Sequence, residues 1–206
     1  VVKLDANGTK QWAKCFGGAA GDYAPFIQQT GDGGYIVAGY TWSNDGDVTG
    51  NHGNTDYWVV KLDANGTKQW AKCFGGSSDD YSTSIQQTGD GGYIVVGFTD
   101  SNDGDVTGNH GGGDYWVVKL DENGNKQWAK CFGGSSYEYA TSTQQTGDGG
   151  YIVAGYTSSN DGDATGNHGL RDYWVVKLDV NGTKQWAKCF GGSADDSAYS
   201  IQQTGD

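Results

Sequence analysis

Four nearly identical segments recur in this chain at a fixed interval of 58 residues. The segment VVKLDANGTKQWAKCFGG begins at Val1, returns unchanged at Val59, and returns at Val117 and Val175 with one or two substitutions. Self-similarity at a fixed period of this length is typical of repeat architectures, in which each unit buries its apolar surface against its neighbours. We therefore expect a single repeat array, in which a residue common to all copies serves to build the repeat.

The composition is that of a folded, acidic protein. Aromatic residues make up 13% of the chain and include 8 Trp, which excludes a disordered chain. The formal net charge of −12 disfavours contact with nucleic acids and anionic membranes. No apolar run approaches the roughly 18 residues of a membrane-spanning helix. We expect no nucleic-acid partner and no insertion into a membrane.

One repeat reads as four strands without any helical periodicity. In the second copy the runs rich in β-branched and aromatic residues are separated by Gly-rich or Asn-Gly turns and by one long polar loop. We name these strands A to D, and they are predicted at residues 81–88, 93–99, 114–121 and 125–132. Each unit is therefore predicted to be a four-stranded antiparallel meander.

Strands B and C are apolar on both faces. In strand C, Val117 points to one side of the sheet, and Trp116 and Val118 to the other. A sheet with two apolar faces has to be covered twice, and stacking like units around an axis achieves this in a β-propeller. We predict an all-β propeller of 58-residue blades, with about three and a half blades in this chain.

The expected organisation places strands C and D of a partial blade in residues 1–22. Three full blades follow at 23–80, 81–138 and 139–196, and a lone strand A occupies 197–206. A closed ring would need further repeats or another copy of the chain. Unpaired strand edges and near-identical blades favour such assembly, so other copies or further repeats of the same protein are the expected partners.

Two stretches of each repeat resemble known propeller repeats. LDANGTKQW is similar to the core of the PQQ-like repeats of quinoprotein dehydrogenases and of the outer-membrane assembly lipoprotein. GGYIVAGYT followed by DYWVVKLDANG resembles more closely the repeat arrays of secreted and cell-surface proteins of bacteria and archaea. This resemblance implies a β-propeller fold and an extracellular or cell-surface location, mostly without an assigned activity.

The long B–C and D–A loops of a meander lie at one end of the unit, and the tight A–B and C–D turns lie at the other. Loops on a rigid scaffold often carry function, so the end with the long loops is the candidate site. The D–A loop differs between copies, as do parts of the B–C loop. We expect a recognition surface for a glycan or a surface protein there, with Trp42 and Tyr137 as contact residues, although drift in loops would also produce such differences.

The B–C loop carries a D-x-D-x-T-G pattern with a further Asp at position 12. Calcium sites on short loops use oxygens at positions 1, 3, 5 and 12 with Gly at 6, so the pattern predicts Ca²⁺ as a cofactor. Turn chemistry alone also explains an Asn-Asp-Gly-Asp sequence. The predicted ligands in the three copies are Asp45, Asp47, Thr49 and Asp56; Asp103, Asp105, Thr107 and Asp114; and Asp161, Asp163, Thr165 and Asp172.

Three N-x-T sequences identify Asn7, Asn65 and Asn181 as glycosylation acceptors in a secreted protein. Asn-Gly is also the favoured dipeptide of hairpin turns, which explains the same sequence without glycans.

The sequence gives little support for a catalytic function. The sequence contains no GxSxG, HExxH, P-loop or dinucleotide-binding pattern. Each of the four Cys stands alone, whereas many alcohol-oxidising quinoproteins carry an adjacent Cys pair, and acid pairs such as Asp79-Asp80 are expected to be solvated. We therefore predict a noncatalytic, extracellular structural or adhesive propeller module without an organic cofactor. The alternative is a fragment of a propeller enzyme, either a quinoprotein-type dehydrogenase or a polysaccharide-active enzyme.

Overall fold

The computed structural model describes residues 1–205 and contains fourteen β-strands and no helix in that range. The strands are β1 (Val2–Leu4), β2 (Lys10–Ala13), β3 (Asp22–Gln29), β4 (Tyr35–Thr41), β5 (Asp56–Leu62), β6 (Lys68–Phe74), β7 (Asp80–Gln87), β8 (Tyr93–Thr99), β9 (Asp114–Leu120), β10 (Lys126–Phe132), β11 (Glu138–Gln145), β12 (Tyr151–Thr157), β13 (Asp172–Leu178) and β14 (Lys184–Phe190). No helix in the described range is long and apolar enough to cross a membrane.

The strands form three four-stranded antiparallel sheets and one two-stranded pair. The sheets are β3–β6, β7–β10 and β11–β14, each with neighbours in chain order, and β1 pairs with β2. We call these sheets units 1, 2 and 3. This arrangement confirms the predicted all-β class and the repeated four-stranded meander, and the strands of unit 2 begin within one residue of their predicted positions.

The predicted lone strand A is not present as a strand. Residues 197–205 form no strand. The segment instead lies along unit 3, where Ala198 O accepts a hydrogen bond from Thr141 Oγ1 at 2.7 Å and Gln203 N donates to Gln144 Oε1 at 2.7 Å. Asp206, the last residue of the predicted segment, lies outside the described residues.

The C–D turns are tight but are one residue longer than a two-residue Asn-Gly hairpin. In unit 1, Gly66 N donates to Asp63 O at 3.0 Å, and Asp63 N donates to Thr67 O at 2.9 Å. Gly66 has a φ of 76°, a left-handed conformation that suits glycine, whereas Asn65 has no positive φ. The turn is therefore a type I turn followed by a left-handed glycine.

The sheet of unit 2 is covered on both faces by neighbouring sheets. On unit 2, Val95, Trp116 and Val118 pack toward unit 1, whereas Ile94 and Val117 pack toward unit 3. All five side chains are fully buried. Burial of apolar surface between neighbouring sheets is the main stabilising contribution to this fold, at about 25 cal/mol per Å² of apolar surface.

Neighbouring units are joined at their first strands by glutamine side chains. Gln87 N donates to Gln28 Oε1 of the preceding unit at 2.7 Å, and Gly31 N of that unit donates to Gln87 Oε1 at 2.8 Å. The same exchange joins Gln145 N to Gln86 Oε1 at 2.6 Å. These bonds hold the first strands of successive units side by side.

Candidate functional site

The B–C and D–A loops meet at one end of the units and hold each other in place. Asp47 N donates to Gly17 O at 3.0 Å, and Asp105 N donates to Gly75 O at 2.9 Å in the next copy. The B–C loop is also anchored in the core, because Val48, Val106 and Ala164 are fully buried. We call this end of the units the loop face.

The three predicted calcium-binding carboxylates of unit 1 make separate contacts. Asp45 Oδ1 accepts a hydrogen bond from Ala19 N at 2.8 Å, and Asp47 Oδ1 forms an ion pair with Lys68 Nζ at 2.5 Å. Asp56 Oδ2 accepts a hydrogen bond from the backbone N of His52 at 3.0 Å and lies 2.6 Å from the Nδ1 of the same residue.

The other copies repeat this arrangement. Asp103 accepts from Ser77 N and Asp161 from Ser135 N, Lys126 and Lys184 pair with Asp105 and Asp163, and His110 and His168 contact Asp114 and Asp172. The side chains of Thr49, Thr107 and Thr165 are exposed. Within residues 1–205, no group of three or more His, Cys, Asp or Glu side chains is arranged to hold a metal ion.

Calcium binding by these loops therefore stays a prediction, and the internal contacts explain the loop acids without it. Since each carboxylate already has a protein partner, we expect a chelator to leave the melting temperature unchanged. The measurement is thermal unfolding in EDTA and in millimolar CaCl₂ at constant ionic strength. An increase of several degrees in CaCl₂ would instead show that the loops rearrange around the ion.

A second set of acids lies at the start of strand A, and the expectation that Asp79-Asp80 would be solvated is wrong for Asp80. Asp80 is fully buried; its Oδ2 accepts hydrogen bonds from Gly76 N and Ser101 Oγ, both at 2.8 Å, and its Oδ1 accepts from Thr99 Oγ1. The two carboxyls of Asp56 and Asp80 approach each other beside Gly75. A Cβ atom placed on Gly75 would lie 2.6 Å from both Asp56 Oδ1 and Asp80 Oδ2. A buried carboxyl pair therefore spans the boundary between units 1 and 2.

The pair recurs between units 2 and 3 with a change of residue type, and again beside the C-terminal segment, where Asp196 is only partly buried. Asp114 faces Glu138, and Asp172 faces Asp196, across Gly133 and Gly191 respectively. Glu138 Oε2 accepts a hydrogen bond from Gly134 N at 2.8 Å, as Asp80 Oδ2 does from Gly76 N. The longer side chain therefore keeps its carboxylate at the same place. This repetition indicates a role in joining units.

Burial raises the pKa of three of these acids. It raises the pKa of Asp80 to about 6, and the negative charge of Asp56 adds to the effect. Burial likewise raises the pKa of Asp114 to about 6 and raises the pKa of Asp56, in both cases against the hydrogen bonds from the neighbouring histidine. The Oδ1 atoms of Asp56, Asp114 and Asp172 are buried without a hydrogen-bond partner in the described residues.

Aromatic side chains form a continuous row across the loop face. Stacked pairs within units alternate with tilted or edge-on contacts between units, at centroid distances of 5.3, 4.7, 5.2, 5.1 and 5.7 Å. Trp42 contacts the first members of the row at 5.4–5.6 Å. We call this row the aromatic arc; its members are Tyr23, Tyr40, Trp42, Tyr81, Phe98, Tyr139 and Tyr156.

The positions at which the copies differ lie beside this arc. A pocket of about 260 Å³ opens between units 2 and 3, and we call it the arc pocket. Both predicted contact residues are exposed, Trp42 by 41% and Tyr137 by 60%, but they lie at different unit boundaries. Tyr137 lines the arc pocket, whereas Trp42 does not. The other lining residues are Phe98, Asp100, Glu138, Tyr139, Tyr156, Ser158 and Arg171.

The predicted glycosylation acceptors lie away from the loop face. Asn7, Asn65 and Asn181 are exposed and occupy the C–D turns at the opposite end of the units. Their side chains are accessible, so glycosylation stays a prediction.

Comparison with known proteins gives little further information. No protein-family model and no curated protein matches the chain. Among solved structures, the chain is similar to a protein of unknown function from Bacteroides caccae. The two share 14% sequence identity with a TM-score of 0.46, over 94% of this chain and 77% of that one.

Proposed function

We propose that this chain is a noncatalytic, extracellular structural and adhesive module of the β-propeller type, whose loop face binds a partner. The observation that carries the proposal is the contrast between a repeated scaffold and a varied loop face. The copies share their strands and tight turns almost residue for residue, whereas Trp42, Asp100, Tyr137 and Arg171 are each unique to one copy at their positions. Three of these four residues line the arc pocket.

The contacts between units support a propeller arrangement. The glutamine exchange brings the first strands of neighbouring units together, which is the arrangement of innermost strands around a propeller axis. Farther out, the Trp70 ring covers Gly124 in the C–D turn of the next unit. Hydrogen-bonded first strands, with a single ring contact between the outer turns, are expected of sheets that are arranged radially around an axis.

The outer faces of the array favour assembly with further repeats or other copies. Val2, Leu4 and Ile27 are exposed by 60%, 54% and 51%, whereas their equivalents in the next copy, Val60, Leu62 and Ile85, are buried. By analogy with these buried equivalents, we infer that another sheet of the same kind packs against Val2, Leu4 and Ile27. Light scattering that gives the mass of one chain at all concentrations would argue against assembly between copies.

The buried acids support a noncatalytic role. The carboxyls with raised pKa values recur at successive unit boundaries, and Asp80 and Glu138 are held by fixed hydrogen bonds to the loops. Their positions are explained by joining units, whereas a catalytic acid or base has to reach a substrate. The extracellular location is supported by the resemblance to secreted repeat arrays and by the exposed N-x-T asparagines.

An adhesion assay tests the proposal, with the full chain applied to immobilised neutral polysaccharides, acidic polysaccharides and matrix proteins. We expect retention on at least one surface. A fourfold variant, Trp42→Ser, Asp100→Ser, Tyr137→Asp and Arg171→Gly, should lose at least tenfold in retention. Each substitution installs the residue that another copy carries at the same position, so folding should be preserved, as checked by thermal unfolding.

The matched control is Thr67→Asn, which installs the residue of the third copy in a turn at the opposite end and should leave retention unchanged. Retention on none of the surfaces, or equal retention of the fourfold variant, would refute the adhesive role. Release of reducing sugars from any polysaccharide, or reduction of a dye with added quinone cofactor, would instead favour a propeller enzyme.

A further inference from the structure

The arc pocket contains polar groups that the fold does not use. The Asp100 carboxylate accepts no hydrogen bond from the described residues, whereas the neighbouring Asp79 accepts one from Thr55 Oγ1 at 2.8 Å. The Tyr139 hydroxyl, on the same pocket wall, is likewise without a hydrogen bond in residues 1–205. Most other acids of the long loops have internal partners, so Asp100 is an acceptor available to a ligand.

Arg171 adds available donors on the opposite wall. It is the single arginine of the sequence, and its guanidinium lies 4.9 Å from the centre of the Tyr156 ring. Its nearest acid is Asp195, at 4.0 Å between Nε and Oδ1, which is too long for a hydrogen bond, and both side chains are about half exposed. Stacking on Tyr156 orients the guanidinium and leaves its N–H groups available.

The walls between these polar groups are aromatic. Phe98, Tyr139 and Tyr156 belong to the aromatic arc, and the exposed Tyr137 stands beside them. A fitting ligand has apolar surface for these rings and hydroxyl groups that both donate to Asp100 and accept from Arg171. A pyranose ring has this combination, with C–H groups on its faces and hydroxyls around its edge.

Size and charge restrict the choice further. A pocket of about 260 Å³ holds one small ring of a ligand, whereas a protein partner typically covers about 800 Å² of surface. The net charge of −12, with the acids Asp100 and Glu138 lining the pocket, repels a polyanion. An uncharged sugar is therefore favoured over a uronic acid polymer.

We infer that the arc pocket binds a pyranose unit of a neutral polysaccharide, through Asp100, Arg171 and the Tyr137 ring. This inference rests on the proposed adhesive function and names the ligand class of the loop face.

Calorimetric titration of the full chain with neutral hexasaccharides tests the inference, using maltohexaose, cellohexaose and laminarihexaose, with an oligogalacturonate as the acidic comparator. We expect binding of at least one neutral hexasaccharide with a Kd of roughly 0.1–1 mM, typical of one small contact site. Binding of the oligogalacturonate should be at least tenfold weaker.

Two variants test the residues. Asp100→Ser and Tyr137→Asp each install the residue of another copy and should raise the Kd at least tenfold with unchanged melting temperature. Trp42→Ser, at a different unit boundary, should change the Kd less than twofold. Absence of binding to all three neutral hexasaccharides at 10 mM, tighter binding of the acidic oligomer, or an unchanged Kd in both pocket variants would overturn the inference.

The outcome is separable from that of the adhesion assay. Retention on a matrix protein that the fourfold variant loses, without any binding of neutral sugars, would leave the adhesive function supported and the sugar inference refuted. Failure of both assays would refute both.

Discussion

Gly97→Ala is expected to lower the free energy of unfolding by about 3 kcal/mol, a large share of the stability of a typical domain. Gly97 lies in β8 opposite a bulge, where the register of β7 shifts between Ser82 and Ser84. An added Cβ would overlap the carbonyl oxygen of Tyr81 and lie 2.8 Å from the Tyr57 hydroxyl. The oxygen belongs to the backbone of a paired strand, so it cannot move without disturbing the sheet. Urea denaturation measures the loss.

The matched control in the same unit is Gly89→Ala. Gly89 has no positive φ, and the nearest atom to an added Cβ is Gln145 Oε1 at 3.6 Å, an ordinary contact with a flexible side chain. We expect a change within about 0.5 kcal/mol. Equal losses in the two variants would show that the bulge does not bring the strands as close as the structure places them.

The repeat and its strands could be predicted because they depend on local patterns. The interval of 58 residues defines the unit, and turn residues such as Asn123-Gly124 separate β-rich runs, so β7 to β10 begin within one residue of expectation. The need to cover both faces follows from the apolar residues of strands B and C. The apolar clusters between units 1 and 2 and between units 2 and 3 confirm that neighbouring sheets of the same array provide this cover.

The buried acids could not be predicted in this way. Asp79 and Asp80 are adjacent, and as a pair they suggest a solvated surface. In the structure Asp79 is partly buried and paired with Thr55, whereas Asp80 begins a strand and enters the boundary with unit 1. The environment of Asp80 depends on the approach of Asp56 from the preceding unit, which no pattern within one repeat specifies.

The loop face could be predicted only in part from the sequence. Differences between copies identified Trp42 and Tyr137, because a comparison of repeats is local. Their grouping around the aromatic arc depends on distances between units, and the role of Asp100 depends on which neighbouring acids already have partners. The buried Val48 was the one available signal that the B–C loop folds back into the core, since an apolar residue inside a polar loop has to be covered.

Asp80→Ala is expected to cost about 3 kcal/mol at pH 4.5, and distinctly less at pH 7. The substitution leaves three buried donors without an acceptor, on Gly76, Thr99 and Ser101. Because burial raises the pKa of Asp80 from 3.8 to about 6, the folded protein holds this proton more tightly than the unfolded chain. The stabilising contribution of Asp80 is therefore fully present below about pH 4, declines as the pH rises toward 6, and stays constant above that.

The control for Asp80→Ala is Asp79→Ala, whose loss should stay below about 1 kcal/mol, since Asp79 makes one partly buried contact. Melting temperatures of the three proteins between pH 4 and 8 measure both effects. Asp90 acts in the opposite sense. Burial raises its pKa, but hydrogen bonds from Thr88, Lys119 and the backbone of Gly92 outweigh burial and lower the pKa to about 2, so the contribution of Asp90 is lost progressively below about pH 4. Stability should therefore be greatest near pH 4.5. A larger loss for Asp80→Ala at pH 7 than at pH 4.5 would mean that Asp80 is ionised throughout this range, and that a bound cation or a water-filled boundary, rather than a buried proton, balances the pair with Asp56.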